Sequence, residues 1–235
     1  IPSVTTVQME DFAHVMRRLW NGEVIFNHDG PIGKYQVLFL DPDFKEVIRL
    51  ALVAFGPKTL ELGGRVFDDV ILHTYFTPET LQRCVNTVKD AAQQAGRDPD
   101  SVRVWSCFAT VGDHLPEELR LKKTVARLAT YLQGYGDLLV HTNNWDPAVL
   151  QRFREDSVVT SIPGGIDHKA TAQQIEHIAT LIPDEWLEPS ATGSAQQCVD
   201  RIRKEFAYGA DALIMHGATP DELKPIVTAY RSATA

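Results

Sequence analysis

Two histidines and one glycine-containing turn are the positions where this sequence could support chemistry. His73 and His216 each end a short apolar run, and Gly56 lies between Phe55 and Pro57 after a third such run. Histidine titrates near neutral pH, so a histidine at a strand end can transfer a proton to or from a bound molecule. For either histidine, the ordinary alternative is a hydrogen-bonded residue at the edge of the core.

The turn around Gly56 has features of an anion site. Glycine lets the backbone approach a ligand closely, and the helix predicted after Pro57 offers backbone N–H groups to a phosphate. Lys58 and the Thr59 hydroxyl can add two donors. An ordinary turn between a strand and a helix explains the same residues.

Composition excludes several other classes of protein. The length of 235 residues suits one large globular domain. The net charge of -8 argues against a general nucleic-acid-binding surface. Cys84, Cys107 and Cys198 form no CxxC pair, and no HExxH motif occurs, so we predict no metal. We see no apolar stretch of bilayer length and no signal peptide, and we therefore expect a cytoplasmic protein that does not bind membranes.

A parallel α/β sheet is predicted from the alternation of apolar runs with helical patterns. The predicted strands cover residues 50–54, 70–73, 102–111 and 212–215. Capping-box pairs mark helix starts at Thr5 with Gln8, Thr171 with Gln174 and Ser194 with Gln197. Residues 23–46 are predicted to form a loop or a short hairpin. The alternation alone does not separate an open doubly wound sheet from part of a barrel.

Residues 134–190 interrupt this alternation with shorter helical patterns, around 146–155 and 171–182. We therefore predict a single domain over residues 1–235 that carries an insertion at 134–190, before the last strand. The long helix that precedes the insertion is predicted to start near Pro116.

Four segments in order resemble the luciferase-like superfamily of flavin- and F-420-dependent oxidoreductases. They are Leu19-Trp20-Asn21-Gly22-Glu23, residues 54–65, residues 69–73, and residues 191–194 followed by 209–217. The second segment is similar to the fifth barrel strand of the family, the third to its sixth strand and the last to its eighth. Asp68-Asp69 stands where the family usually has Asp-Gly.

The resemblance implies a (β/α)8 TIM barrel of luciferase-like type, of which this chain covers about strands five to eight. It also implies that the turn after the fifth strand contacts the cofactor. The residues that take this role are Ala54, Phe55, Gly56, Pro57 and Thr59. Because ligands lie at the carboxyl ends of barrel strands, His73 and His216 are expected to contact substrate or cofactor. No catalytic residue is assigned.

We predict an oxidoreductase that uses coenzyme F-420 for hydride transfer to or from a small organic substrate. The family likeness implies a homodimer. An FMN-dependent monooxygenase is the alternative, because the sequence does not separate the two cofactors. A catalytically incomplete half-barrel with a binding or structural role, and an unrelated α/β enzyme with a phosphorylated substrate, are the other hypotheses. The sequence starts at Ile1 rather than Met, so we expect an upstream part of the barrel; the alternative is that this chain pairs with another copy of itself.

Overall fold

The computed structural model describes residues 3–44 and 46–233, which form two compact units. The first unit contains the chain up to Leu72 together with Cys84–Val104, and the second contains His73–Arg83 and the chain from Trp105 onward. Two compact units can belong to one domain, so the single domain over 1–235 and the insertion at 134–190 stay predictions.

Helices and strands alternate along much of the chain. The strands are β1 (Ile25–Gly30), β2 (Gly33–Leu38), β3 (Ala51–Val53), β4 (Asp69–Ile71), β5 (Arg103–Gly112), β6 (Ala191–Gly193) and β7 (Ala212–His216). The helices are α1 (Thr6–Trp20), α2 (Pro57–Val66), α3 (Pro78–Gln94), α4 (Glu117–Leu121), α5 (Arg127–Asn143), α6 (Pro147–Glu155), α7 (Ser157–Ser161), α8 (Ile166–Lys169), α9 (Ala172–Ala179), α10 (Asp184–Leu187), α11 (Ala195–Ala207) and α12 (Pro220–Ser232). A 3-10 turn covers Pro99–Ser101, and a π turn, Lys122–Ala126, joins α4 to α5. None of the described helices is both long and apolar enough to cross a membrane.

Helix α1 in the first unit begins at the predicted capping box. The Thr5 hydroxyl accepts a hydrogen bond from the Gln8 backbone N–H at 3.3 Å, and Gln8 Oε1 accepts one from the Thr5 backbone at 2.9 Å. Gly22 follows the helix with φ +80°, a conformation that glycine adopts without strain. Strands β1 and β2 then pair as an antiparallel hairpin, one of the two structures predicted for residues 23–46.

Strands β3 and β4 pair in parallel, with Leu52 opposite Val70. Strand β3 lies within the predicted strand at residues 50–54 and is buried on one face only. Leu52 is buried in a cluster with Ala13 and Leu62, whereas Val53 is 68% exposed. One face of β3 is therefore covered by helices α1 and α2, and the other face has no such cover within this unit.

The start of β4 is fixed by two ion pairs. Arg49 Nε and Arg103 Nε each donate to the Asp69 carboxylate at 2.7 Å, one to each oxygen. The Asp69 side chain is only 7% exposed, and a buried carboxylate needs such partners. Asp68 accepts a hydrogen bond from the Leu50 backbone at 2.8 Å. The Asp68-Asp69 pair thus joins both strands and three segments of the first unit.

The second unit is built around β5. This strand pairs in parallel with β7 over residues 105–109 and with β6 over residues 110–112. The parallel α/β class predicted from the sequence is confirmed. Strand β6 was not predicted as a strand, because Ala191-Thr192-Gly193 does not form an apolar run.

Helices α4 and α5 and the π turn between them form one long helical segment. It begins after Pro116, as predicted, and Val125, Leu128 and Leu132 line its buried side. Helical geometry is interrupted inside α5 at Tyr135, where φ is -150° and ψ is 36°. The segment continues to Asn143, past the first residues of the predicted insertion.

Helix α11 buries a carboxylate beside its apolar stripe. Val199 and Ile202 face the core, whereas Phe206 is 39% exposed. Glu205 is 2% exposed and takes the inward position, where Arg201 contacts it at 2.7 Å and the Ser106 hydroxyl donates to it. Burial raises the pKa of Glu205. An ion pair and a hydroxyl hydrogen bond therefore hold this carboxylate in the core.

Close packing at Gly64 in the first unit gives a stability prediction. A Cβ at this position would lie 2.2 Å from the Val88 carbonyl oxygen and 2.9 Å from the Ala91 Cβ, so the backbone itself would have to move. We expect Gly64→Ala to lower the free energy of unfolding by about 3 kcal/mol, measured by urea denaturation. In the matched variant Gly134→Ala, the new Cβ meets nothing within 4 Å. That variant should be unchanged or more stable by about 0.5 kcal/mol; equal losses in the two variants would contradict this account.

Candidate functional site

The two histidines predicted at strand ends lie in the same unit and close to each other. His73 follows the last residue of β4 by two positions, and His216 is the last residue of β7. Burial lowers the pKa of His73, and the nearby His216 lowers it further, while a backbone contact with Thr74 opposes the change. Burial also lowers the pKa of His216. Both rings are therefore neutral near pH 7.

The hydrogen bonds of His73 fix its tautomer. Its Nδ1 lies 2.9 Å from the carbonyl oxygen of Thr74, which can only accept a hydrogen bond, so Nδ1 carries the hydrogen. Its Nε2 lies 2.8 Å from the Tyr135 hydroxyl. In the neutral ring Nε2 is an acceptor, and the phenol of Tyr135 is therefore the donor in this pair.

Three tyrosines form an aromatic cluster with this histidine. The rings of Tyr131 and Tyr135 are stacked at 5.5 Å, and each meets the His73 ring edge-on, at 5.0 Å and 5.1 Å. Tyr75, whose ring lies 6.2 Å from that of Tyr131, donates its hydroxyl to the Thr124 carbonyl at 2.9 Å. Burial raises the pKa of all three phenols. They are therefore neutral hydrogen-bonding groups rather than charges.

One cation belongs to the cluster. Arg127 Nη1 lies 2.8 Å from Asp167 Oδ2, and the Asp167 side chain is 4% exposed. The Thr130 hydroxyl donates to the other oxygen of this carboxylate at 3.0 Å. Arg127 lowers the pKa of His216 in addition to burial, and it opposes the rise in the pKa of Tyr131. A buried carboxylate thus holds the guanidinium next to the aromatic rings.

Two buried nitrogens of this cluster, Arg127 Nε and His216 Nδ1, have no hydrogen-bond partner among the described residues. The nearby Thr74 side chain is 2% exposed and interacts with the Tyr131 hydroxyl. Each unsatisfied buried group costs about 1–3 kcal/mol. Such atoms are expected to bind a ligand or ordered water, and their grouping around one cation favours a molecule with oxygen acceptors.

The Gly56 turn belongs to the first unit. Gly56 is the N-cap of α2, with φ -96° and no side-chain cap, and Pro57 follows at the first helical position. A Cβ on Gly56 would meet nothing within 4 Å, so the turn faces open space. The Thr59 hydroxyl donates to the Gly56 carbonyl at 2.8 Å, and Ala54 is 1% exposed. The cofactor-binding roles of these residues, and of Phe55, stay predictions.

Most of the polar cluster was not predicted from the sequence. Arg127, Tyr131 and Tyr135 recur at intervals of four, which places them on one face of the predicted helix. That stripe of polar-tipped side chains was the signal available in the sequence. The role of Thr74 and the pairing of Arg127 with Asp167 depend on long-range contacts, which no local pattern reveals.

Comparison with known proteins identifies the family. The profile of the luciferase-like monooxygenase family matches residues 5–212. The chain belongs to this family. Over 99 residues it is 31% identical to the 5,10-methylenetetrahydromethanopterin reductase of Methanolobus tindarius, a match that covers 40% of this chain and 28% of that relative.

Two solved structures show the fold of this luciferase-like chain. The coenzyme F-420-dependent tetrahydromethanopterin reductase of Methanopyrus kandleri matches with a TM-score of 0.73 and 17% identity, over 94% of this chain and 60% of that one. A riboflavin lyase crystallised with modified FMN and riboflavin matches with a TM-score of 0.58 and 15% identity, over 100% of this chain and 60% of that one. The luciferase-like α/β barrel fold predicted from the sequence is confirmed. This chain spans about 60% of the length of these structures.

The lowered pKa values of His73 and His216 make stability depend on pH. In the unfolded chain both histidines titrate near about pH 6.5, so below that pH the unfolded state binds more protons than the folded state. We therefore expect the free energy of unfolding to decrease as the pH is lowered from about 7.5 to about 5.5. Urea denaturation at each pH measures this change. His73→Gln should reduce this pH dependence. His168→Gln, at a side chain that is 77% exposed, should leave it unchanged; a His73→Gln variant with the full pH dependence would refute the assignment.

Proposed function

We propose that this chain is part of an oxidoreductase that binds coenzyme F-420 and transfers a hydride to or from a small organic substrate. The observation that carries the proposal is the cluster of unsatisfied buried polar atoms around Arg127, beside neutral His73 and His216, in a luciferase-like chain. The F-420 dependence of the Methanopyrus kandleri reductase supports the choice of cofactor.

FMN is the alternative cofactor. The riboflavin lyase, whose structure was solved with modified FMN, supports this alternative with a lower fold similarity, a TM-score of 0.58 against 0.73 for the F-420-dependent reductase. An FMN-dependent enzyme of this family would act as a monooxygenase. Both cofactors carry a phosphate and a planar ring system, so the same residues of this chain would serve either one.

The Gly56 turn fits a cofactor phosphate. The space in front of Gly56 admits an anion. Because no side chain caps the first turn of α2, an external hydrogen-bond acceptor such as a phosphate can bind at this helix end. Exposed Lys58 adds a positive charge. We assign phosphate binding to Gly56 and Lys58, with Phe55 and Pro57 shaping the turn. The Thr59 hydroxyl already donates within the turn, so it contributes by holding the turn.

The polar cluster of the second unit fits the substrate. When bound, the cofactor would supply the two-electron chemistry. The Arg127 guanidinium, held by Asp167, stabilises negative charge on a substrate oxygen. The tyrosine rings exclude water, and Thr74 and His216 add hydrogen-bonding atoms. We further propose a homodimer in the cytoplasm, with neither nucleic acid nor membrane as a partner.

Substitution of Gly56 tests phosphate binding. Aspartate at an N-cap stabilises a helix by a few tenths of a kcal/mol relative to glycine, but its charge repels a phosphate. We expect Gly56→Asp to keep or raise the thermal stability while it weakens F-420 or FMN binding at least about tenfold, which corresponds to about 1.4 kcal/mol. The measurement is a fluorescence titration of the purified protein with each cofactor.

The matched control is Gly56→Asn, which has the same shape and capping ability without the charge. It should weaken binding less than Gly56→Asp does. Equal effects of the two variants would mean that no phosphate lies at this turn. If the wild-type protein binds neither cofactor, the proposed oxidoreductase function is wrong for this chain.

A further inference from the structure

We propose that a cavity of the second unit binds a zwitterionic α-amino acid with an apolar side chain. The cavity has a volume of about 340 Å³, near the lower end of the range for small-molecule sites, about 300–1,000 Å³. This binding goes beyond the proposed function and does not depend on it, because it requires no cofactor.

The cavity lies at the carboxyl ends of two paired strands. Val111 of β5 and Thr192 of β6 stand opposite each other in the parallel pair, and both line the cavity. Ligands of barrel proteins lie at this end of the strands. The other lining residues come from α4, the π turn, α10 and the segment between α10 and β6. Helical segments and two strand ends therefore enclose a space that their own side chains leave open.

The cavity contains a guanidinium without a partner. Arg120 is only partly exposed, and its buried Nε has no hydrogen-bond acceptor. Among the residues that the structure describes, no carboxylate lies within 4.0 Å of its side-chain nitrogens. A buried donor without an acceptor disfavours folding. Arg120 therefore fits a ligand that supplies an oxygen acceptor.

Three carboxylates line the same cavity. Glu117 lies three residues before Arg120 on α4, and Asp184 and Glu188 are four residues apart at α10. Residues with these spacings lie on the same side of a helix. Within residues 3–44 and 46–233, none of the three carboxylates forms an ion pair within 4.0 Å. The cavity thus presents one positive and three negative groups that do not pair with each other.

This arrangement of charges favours a zwitterion. An anion would satisfy Arg120 but would face three carboxylates, and an amine would leave Arg120 without an acceptor. The carboxylate of an amino acid accepts hydrogen bonds from Arg120, and its ammonium donates to the acidic side chains. A divalent cation fits less well, because the described residues contain no group of three His, Cys, Asp or Glu side chains that could hold a metal ion.

The apolar part of the lining favours an apolar amino-acid side chain. Val111 and Val125 are 1% and 2% exposed, and Leu121 and Leu187 are partly buried. All four line the cavity, so they offer a hydrocarbon side chain a surface that excludes water. Leucine and methionine therefore fit both the charged and the apolar parts of the cavity.

The π turn connects this cavity to the aromatic cluster. Thr124 and Val125, both within the turn, line the cavity. The carbonyl of Thr124 accepts the Tyr75 hydroxyl at 2.9 Å. π turns inside helices are frequent at functional sites, and this one serves both the cavity and the cluster.

The first test compares L-leucine with two probes that each lack one charge, by isothermal titration calorimetry of the purified protein without cofactor. Leucine amide keeps the ammonium, and 4-methylpentanoate keeps the carboxylate. We expect saturable binding of leucine with a Kd below about 5 mM, and binding of each single-charge probe at least about tenfold weaker. No saturable binding of leucine in this range, or a single-charge probe that binds as tightly as leucine, would overturn the proposal.

Substitution of Arg120 separates ligand binding from folding. Arg120→Gln removes a guanidinium without a protein partner, so the Tm of the ligand-free protein should stay the same or rise. Its leucine affinity should fall at least about tenfold. Arg152→Gln is the matched control, because Arg152 is an exposed residue of α6 that does not line the cavity. This control should bind leucine as the wild type does.

The carboxylates are tested by a pair of double variants. Asp184→Asn combined with Glu188→Gln should weaken leucine binding at least about tenfold, because the ammonium loses two acidic partners. Glu176→Gln combined with Glu185→Gln removes the same charge from exposed positions outside the cavity and should leave binding unchanged. Wild-type leucine affinity in Arg120→Gln or in the first double variant would overturn the site, whatever the titrations with F-420 and FMN show.

Discussion

The ion pair between Arg127 and Asp167 is the contact on which the polar cluster of the second unit depends. Asp167 is almost fully buried, and without a cation its charge would be very costly there. Arg127 satisfies it through Nη1 and thereby brings a fixed positive charge to the tyrosines and His216. Burial keeps both histidines neutral, and the charge of Arg127 adds to this effect at His216. A structural requirement of one carboxylate therefore contributes to the protonation state of the candidate site.

Buried carboxylates organise both units by the same principle. Asp69 lies between Arg49 and Arg103 at the start of β4, and Glu205 bonds Ser106 and Arg201 in the core of the second unit. Each carboxylate joins segments that are distant in sequence. Apolar contacts would bury the same segments with less directional control, whereas a paired carboxylate accepts only a few geometries. These positions specify where strands and helices meet.

Local signals in the sequence predicted the helices well and the cluster poorly. Capping boxes such as Thr5 with Gln8 involve residues three apart, so the pattern and its cause lie in the same short segment. His73 and His216 were found for a similar reason, because each directly ends a short apolar run that predicts a strand. The three-residue strand β6 and the contact of Arg127 with Asp167 arise from pairing across the chain. No local periodicity in a single sequence reveals such contacts.

The helical segment from Glu117 to Asn143 links the backbone to the candidate chemistry. Its π turn offers the Thr124 carbonyl to Tyr75, and its interruption falls at Tyr135, so backbone geometry as well as side-chain type defines the cluster. Arg127, Tyr131 and Tyr135 share a face only because they are spaced by four. One residue more or fewer between them would rotate the later side chains by about 100° around the helix. The spacing along this helix is therefore as strict a requirement for the site as the identity of its residues.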